Sequence, residues 1–452
     1  MKNFIRFIWI LFLILAESLA AQNLSLTIYN QNLALVREKR ILSLKPGIST
    51  ISFTNVAGRI DPTSVHFKSL TSPEKLTILE QNYEYDLVNA DKIMRKYLGK
   101  NIKLVTKKGE VFDGKLLTAS GSNIVIQDEN SEIKIIRDNT VEHFDFPELP
   151  EGLITHPTLI WLIENQGPKN QQTEISYLTH GINWHAEYVA VVGQTEKDLD
   201  IGGWVSIENQ SGATYTNAKL KLVAGEVHQI KPETKPFSET RRTLMGIEKT
   251  ISPQFEEKAF FEYHLYTLQR KTTLKNNQTK QISLFPSAIT RTKKLFIYDH
   301  YKNDKKIGVY LEFKNSKKDG LGLPLPKGKI RVYKRDTDKA LEFIGEDLID
   351  HTPVDENVRI FLGNAFDLVG NRVEKSSKKI SYAAREEEYE ITLKNHKKED
   401  VKIVVVEHFY GDWKILKHSY PFVKKDARTI EFTIPVPAHG KAILSYTVFR
   451  GW

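Results

Sequence analysis

Cysteine is missing altogether, which removes disulfide staples, thiolate metal sites, thiol nucleophiles and lipid attachment at a cysteine. Each folded unit must therefore be held by its own packed core. Long apolar runs are scarce as well: after the first twenty residues no stretch approaches the roughly 18 to 20 apolar residues that a membrane-crossing helix needs. The compact catalytic signatures are also missing, with no G-x-S-x-G elbow, glycine-rich phosphate loop, H-E-x-x-H pair or helical S-x-x-K. Nothing in the chain specifies a cofactor, a metal or a catalytic set.

At the N-terminus, Lys2 and Arg6 precede the apolar run Phe7 to Ala16, and small residues follow at Ser18, Ala20 and Ala21. This is the pattern of a secretory leader, with cleavage expected after Ala20. Removing 20 of the 452 residues leaves 432, more than the roughly 250 to 300 at which a single core stops growing. The expectation is an exported protein of several domains, in the periplasm or at the cell surface, not transmembrane once the leader is gone. Export leaves no role for nucleic acid.

Charge is distributed unevenly. From Lys231 to Lys339 there are 25 Lys and Arg against 12 Asp and Glu, a net of +13, so the rest of the chain holds −4 of the total of +9. A basic surface outside the cytoplasm attracts acidic glycans and anionic lipid headgroups. The basic pairs Lys293-Lys294, Lys305-Lys306, Lys317-Lys318 and Lys334-Arg335 are its densest points, and an ordinary solvated surface is the plainer reading.

Period-two alternation recurs throughout, as in Ala218, Leu220 and Leu222, in Val309, Leu311 and Phe313, and in Tyr389, Ile391 and Leu393. It predicts half-buried antiparallel strands, separated by turns such as Lys45-Pro46-Gly47 and Pro326-Lys327-Gly328. The fold class expected is mainly β, with several antiparallel β-sandwiches. One short helix is expected at Asp91 to Leu98, its face made by Ile93, Met94, Tyr97 and Leu98 and its stop by Gly99. Five short strands follow it between Ile102 and Phe144, with Gly114 where the second must bend, which predicts a nested Sm-like or SH3-like barrel. The boundaries drawn are a leader at 1–20, an N-terminal β-domain at 21–88, the barrel insertion at 89–146, a central sandwich at 147–230 continuing at 259–345, a flexible excursion at 231–258, and a C-terminal sandwich at 346–452.

Several ordered segments carry a resemblance. They are Tyr29-Asn30-Gln31-Asn32-Leu33-Ala34-Leu35-Val36-Arg37, Phe146-Pro147-Glu148-Leu149-Pro150, Gly181-Ile182-Asn183-Trp184, Asn209-Gln210-Ser211-Gly212, Leu222-Val223-Ala224-Gly225-Glu226-Val227, Leu323-Pro324-Leu325-Pro326-Lys327-Gly328 and Leu362-Gly363-Asn364-Ala365-Phe366-Asp367. On these the chain resembles a widespread bacterial family of exported proteins, domain-of-unknown-function 4139, similar to the mucoidy inhibitor A proteins. The resemblance spans essentially the whole mature chain and implies an envelope protein of β-sandwich type. It supplies no catalytic residues. This chain lacks the long helical coiled segment of the mucoidy inhibitor proteins.

Three constellations invite a chemical reading. The run Gly345 to Glu356 holds Glu346, Asp347, Asp350, His351, Asp355 and Glu356, which suit cation binding or acid-base work if they converge; a polar connector ended by Pro353 is the plainer reading. His185 and Glu187 share a strand face beside Trp184, with His180 and His156 nearby, a spacing usable by zinc; a packed aromatic corner of Trp184 and Tyr188 is favoured. Ser211 sits in a tight turn with no assignable histidine, so turn chemistry is favoured over a nucleophile. The functional expectation is a non-catalytic protein that binds envelope proteins or an anionic glycan or lipid surface, with a hydrolase acting on envelope glycan or peptide as the alternative.

Overall fold

The computed structural model describes residues 23–120, 122–225, 227–228, 255–260 and 263–451. The expected leader at 1–20 lies outside them, as does most of the expected excursion at 231–258. The end of that excursion is ordered into the strand Phe255–Phe260, which pairs with Tyr263–Leu268. The described residues are 66% strand and 5% helix, and the fold is mainly β in several antiparallel and mixed sheets. No helix among the described residues is long and apolar enough to cross a membrane.

An eight-stranded sheet is ordered Phe255–Phe260, Tyr263–Leu268, Tyr215–Ala224, Asn23–Tyr29, Leu33–Ser43, Asn170–Thr179 and His66–Ser69, with Thr272–Leu274 beside Tyr215–Ala224. A three-stranded sheet of Gly47–Thr54, Thr158–Asn165 and Leu76–Glu84 packs against it. Alternation selects the packed faces: Leu24, Leu26 and Ile28 from one sheet meet Leu159, Trp161 and Ile163 from the other. Trp161 is fully buried, stacks on Phe67 at 4.7 Å and donates its indole N–H to Gln81 at 2.8 Å.

The segments 21–88 and 147–230, expected as separate domains, are interleaved. Leu33–Ser43 pairs along its length with Asn170–Thr179, and Asn23–Tyr29 runs parallel to Tyr215–Ala224. The physical reason is that the strand edges of either segment alone would be unpaired, and pairing across segments satisfies them.

A third, thirteen-stranded sheet runs from Leu341–Ile349 through Gly328–Arg335, Ile182–Val192, Asp198–Asn209, Gln278–Asp299, Lys306–Lys314, Asn357–Ser381, Ala384–Asn395 and Lys441–Gly451 to Asp412–His418. Two of these strands are long. Gln278–Asp299 pairs first with Asp198–Asn209 and then with Lys306–Lys314 and Val401–His408. Asn357–Ser381 pairs first with Lys306–Lys314 and then with Ala384–Asn395. Their first halves pack on the large core, through Ile282, Leu284, Val358 and Ile360. Their later parts pack on a second core that contains Tyr298, Leu368, Ile391, Val405, Phe432 and Leu444. Residues 346–363 therefore belong with the central strands, not with the C-terminal sandwich expected from 346 onward.

The helix is Ala90–Lys96, capped by the Asn89 side chain on Lys92 N–H at 2.9 Å. Tyr97 is buried as expected, but Leu98 is exposed, because the helix has already ended at the Tyr97 cap. The strands that follow, Asn101–Thr106, Val111–Ser120, Asn123–Gln127, Ile133–Arg137 and Val141–Asp145, form one sheet in the order fifth, first, second, third, fourth. At Gly114 the second strand passes from its first partner to its second, and a Cβ there would overlap the Gln127 carbonyl. The fourth and fifth strands are joined by a 3-10 turn and make no ladder with one another, so the sheet is open and not a closed barrel.

This unit is inserted in a hairpin. Leu76–Glu84 and Thr158–Asn165 are antiparallel neighbours, with Glu84 opposite Thr158, and the 73 residues of 85–157 stand where a turn would. Its neck is fastened by Val88 N–H on Ile154 O at 2.9 Å and Ile154 N–H on Asp86 O at 3.1 Å.

Candidate functional site

The acid and histidine run around Asp350 does not converge. Glu346 turns to Arg331 at 3.4 Å and Lys329 at 3.6 Å. Asp347 instead accepts the Phe361 backbone N–H at 2.7 Å, tying Leu341–Ile349 to Asn357–Ser381. Asp350 is exposed beside Lys327 at 3.6 Å, and His351 accepts the Lys327 backbone N–H at 3.1 Å. Asp355 sits at φ 68° and donates its N–H to the Asn315 carbonyl at 2.7 Å. Successive strand residues face opposite ways, so these groups cannot share one centre.

The histidines separate likewise. His185 lies 3.1 Å from Glu187, but Arg331 also bonds Glu187, so the carboxylate already has a cation. His180 bonds the Asn32 carbonyl at 3.1 Å, and His156 bonds Thr155 at 3.0 Å. Trp184 and Tyr188 are buried, donating to Val223 O at 3.1 Å and Pro326 O at 2.7 Å. Ser211 is buried and hydrogen-bonded to Asn209 at 2.8 Å and Tyr215 at 3.1 Å, a turn brace.

Two of the basic pairs are split by strand geometry. Lys293 stands opposite Glu312 on one face of its strand, and Lys294 points to the other. Lys334 and Arg335 diverge in the same way, while Lys317 and Lys318 lie on a 3-10 turn. What the fold does bring together is one lysine from each strand pair: Lys294 and Lys334 both bond the carboxylate of Glu196. Burial works against the charge of Glu196, but the two lysines outweigh it and hold its carboxyl below the usual carboxylate range. Beneath them is a groove of about 250 Å³ floored by Val192, Val309, Leu311, Ile344 and Leu362.

A second groove, of about 380 Å³, lies along the outer face of the central strands. There the Asp198–Asn209 ladder shifts register at Gly203, where a Cβ would overlap the Phe285 ring. The bulge lays Phe285 across the strand and leaves Trp204 beside it 43% exposed, with Asp200 bonded to Ser287 at one side.

Sequence reading missed a charged network at one end of the C-terminal sandwich. Arg372 lies over the Tyr389 ring at 3.7 Å and bonds Glu407 at 3.2 Å and the Tyr446 hydroxyl at 3.3 Å. Beside it Glu387 accepts from Tyr389 at 2.9 Å and Arg450 at 3.3 Å. Glu407 is 0% exposed, and its Oε2 lacks a hydrogen-bond partner among the described residues. Burial pushes the Glu407 carboxyl above its ordinary range despite Arg372. The signal was present: Val401, Ile403, Val405 and Glu407 alternate on one strand, so Glu407 falls on the core-facing side.

Burial also pushes two phenols of this sandwich, Tyr298 and Tyr389, up to about 12, with the fields of Asp304 and Glu387 adding to it. The folded state thus keeps protons that an unfolded tyrosine releases near pH 10. Their contribution is whole below about pH 10 and is lost as pH rises through about 12. A pH titration followed by tyrosinate absorbance should show these phenols ionising together with loss of the fold; ionisation of all tyrosines near pH 10 with the fold intact would contradict this burial.

No protein-family model matches the chain, and no curated protein matches it.

Proposed function

We propose that this protein is a non-catalytic binding protein of the cell envelope, exported by its N-terminal leader and related to the family that its sequence segments resemble. The observation that supports this reading is the dispersal of its titratable groups. Glu346 turns to Arg331, Asp350 and His351 meet the side chain and the backbone of Lys327, and Asp355 is tied to Asn315, whereas an enzyme of the hydrolytic kind needs such groups converging on a pocket. Glu407, whose buried carboxyl has the raised proton affinity of a general acid, is sealed from any substrate. The grooves lie along sheet faces, as suits recognition of extended or surface-bound partners.

The basic middle of the chain makes anionic envelope material the expected partner, since exposed charges attract over about 10 Å at 0.1 M salt. Purified mature protein should be retained on extracted envelope polysaccharide or on anionic vesicles at low salt, and released as salt rises. A variant with Lys305, Lys306, Lys317 and Lys318 changed to serine should be retained less. Equal retention of the two proteins at every salt would remove the electrostatic reading. Release of new reducing ends or amino groups from envelope preparations would replace it with the hydrolase.

A further inference from the structure

We propose that the groove beneath Lys294 and Lys334 binds an amphiphilic anion: a carboxylate or phosphate head bearing one short alkyl chain. The proposal rests on the binding reading above and names a ligand class for one site. Lys294 comes from the last third of Gln278–Asp299 and Lys334 from the end of Gly328–Arg335, and both ammonium groups are drawn to the rim by Glu196. Two cations share a single carboxylate there, so the rim keeps a net positive charge.

The placement of Glu196 is itself informative. It occupies φ 57° in the turn between Ile182–Val192 and Asp198–Asn209, where its N–H bonds Gly193 O at 3.0 Å. Glycine or asparagine takes that left-handed conformation with least strain. A glutamate there is held by what its carboxylate does, which is to gather the two lysines over the groove.

The floor sets the other half of the ligand. Val192 and Leu311 are nearly wholly buried, and Val309 and Leu362 complete an apolar lining. A bare phosphate would meet the rim and leave this floor wet; a neutral detergent would cover the floor and leave the excess charge unmatched. Each buried methylene should then tighten binding by about fourfold until the groove is filled.

The test is isothermal titration of the full-length mature protein with butanoate, hexanoate, octanoate and decanoate, beside octyl phosphate, octyl glucoside and inorganic phosphate. Affinity should climb with chain length and level off once the groove is filled. Octyl phosphate should bind; octyl glucoside and inorganic phosphate should not. The relative affinities of octanoate and octyl phosphate decide between a fatty carboxylate and a phospholipid-like head. Changing Lys294 and Lys334 together to serine should weaken octanoate by about tenfold per charge-assisted bond removed, with the thermal midpoint compared to confirm folding. If that variant no longer folds, Lys294→Gln alone and chloride competition supply the same readout. Octyl glucoside binding as tightly as octanoate, or octanoate binding unchanged by loss of the lysines, would overturn the proposal. Retention on vesicles and polysaccharide is scored separately on the same variant, so the groove can fail while the binding reading stands.

Discussion

Replacing Glu407 by alanine is expected to lower the stability of the C-terminal sandwich by about 3–5 kcal/mol, the usual effect of removing one partner from a buried ion pair. Arg372 would be left as a charge in the core wall, its side chain 12% exposed, with the neutral Tyr446 hydroxyl beside it and the Tyr389 ring beneath it in place of a carboxylate. Replacing both members by apolar residues, Arg372→Met with Glu407→Leu, should recover most of that loss, because desolvating two charges offsets much of their attraction. Denaturant unfolding followed by the fluorescence of Trp413, which packs on Phe409 in this core, reads the local transition. A single mutant as stable as the parent would mean that Arg372 finds water once its partner is gone.

The same residue makes stability depend on pH, with a definite sign. The folded pKa of Glu407 lies above its ordinary value of 4.5, so the folded state binds a proton that the unfolded chain has released. Its effect is level below about pH 4.5, and stability falls as pH rises through the folded pKa. A Glu407→Gln variant cannot titrate there, so the difference between its thermal midpoint and the parent's should change over that window and be flat below it. A constant difference would show that burial does not raise this carboxyl.

Trp161→Ala should be comparably severe in the other core, about 3–5 kcal/mol, as for other buried tryptophans. The indole is wholly buried, stacked on Phe67 at 4.7 Å and edge-on to Phe53 at 6.3 Å. It also helps join the three-stranded and eight-stranded sheets, and its removal breaks the hydrogen bond from the indole N–H to Gln81. Trp161→Phe should lose less, since it leaves a smaller cavity. A shift of the denaturation midpoint below about 1 kcal/mol would mean that the sheets close over the gap.

Strand identity was legible because alternation is local. Ile403 and Val405, or Tyr389 and Ile391, announce their buried faces from their neighbours alone, and Gly99 and Gly114 mark the helix stop and the bend by being glycine. Which strands pair was not legible, since hydrogen-bonded edges of the backbone carry little side-chain information. Leu33–Ser43 gives no sign that its partner is Asn170–Thr179, nor does Lys294 that it will share Glu196 with Lys334. Glu407 stood on a readable face, but its partner Arg372 sits on another strand of the same sandwich. The acid run at Gly345 to Glu356 misled in the opposite direction, because density along the chain says nothing about convergence in space.

The hairpin that carries the five-stranded unit gives that unit a thermodynamic hold on its host. While the unit is folded, its fastened neck keeps Glu84 and Thr158 side by side, and the hairpin closes as if joined by a short turn. Were the unit to melt, the 73 residues of 85–157 would become a free loop, and closing it would cost about 2–3 kcal/mol more than closing a turn of a few residues. A small module with a core of its own therefore lends entropy-based stability to a sheet that it does not form part of, and losing its fold would loosen the strand that bears Trp161.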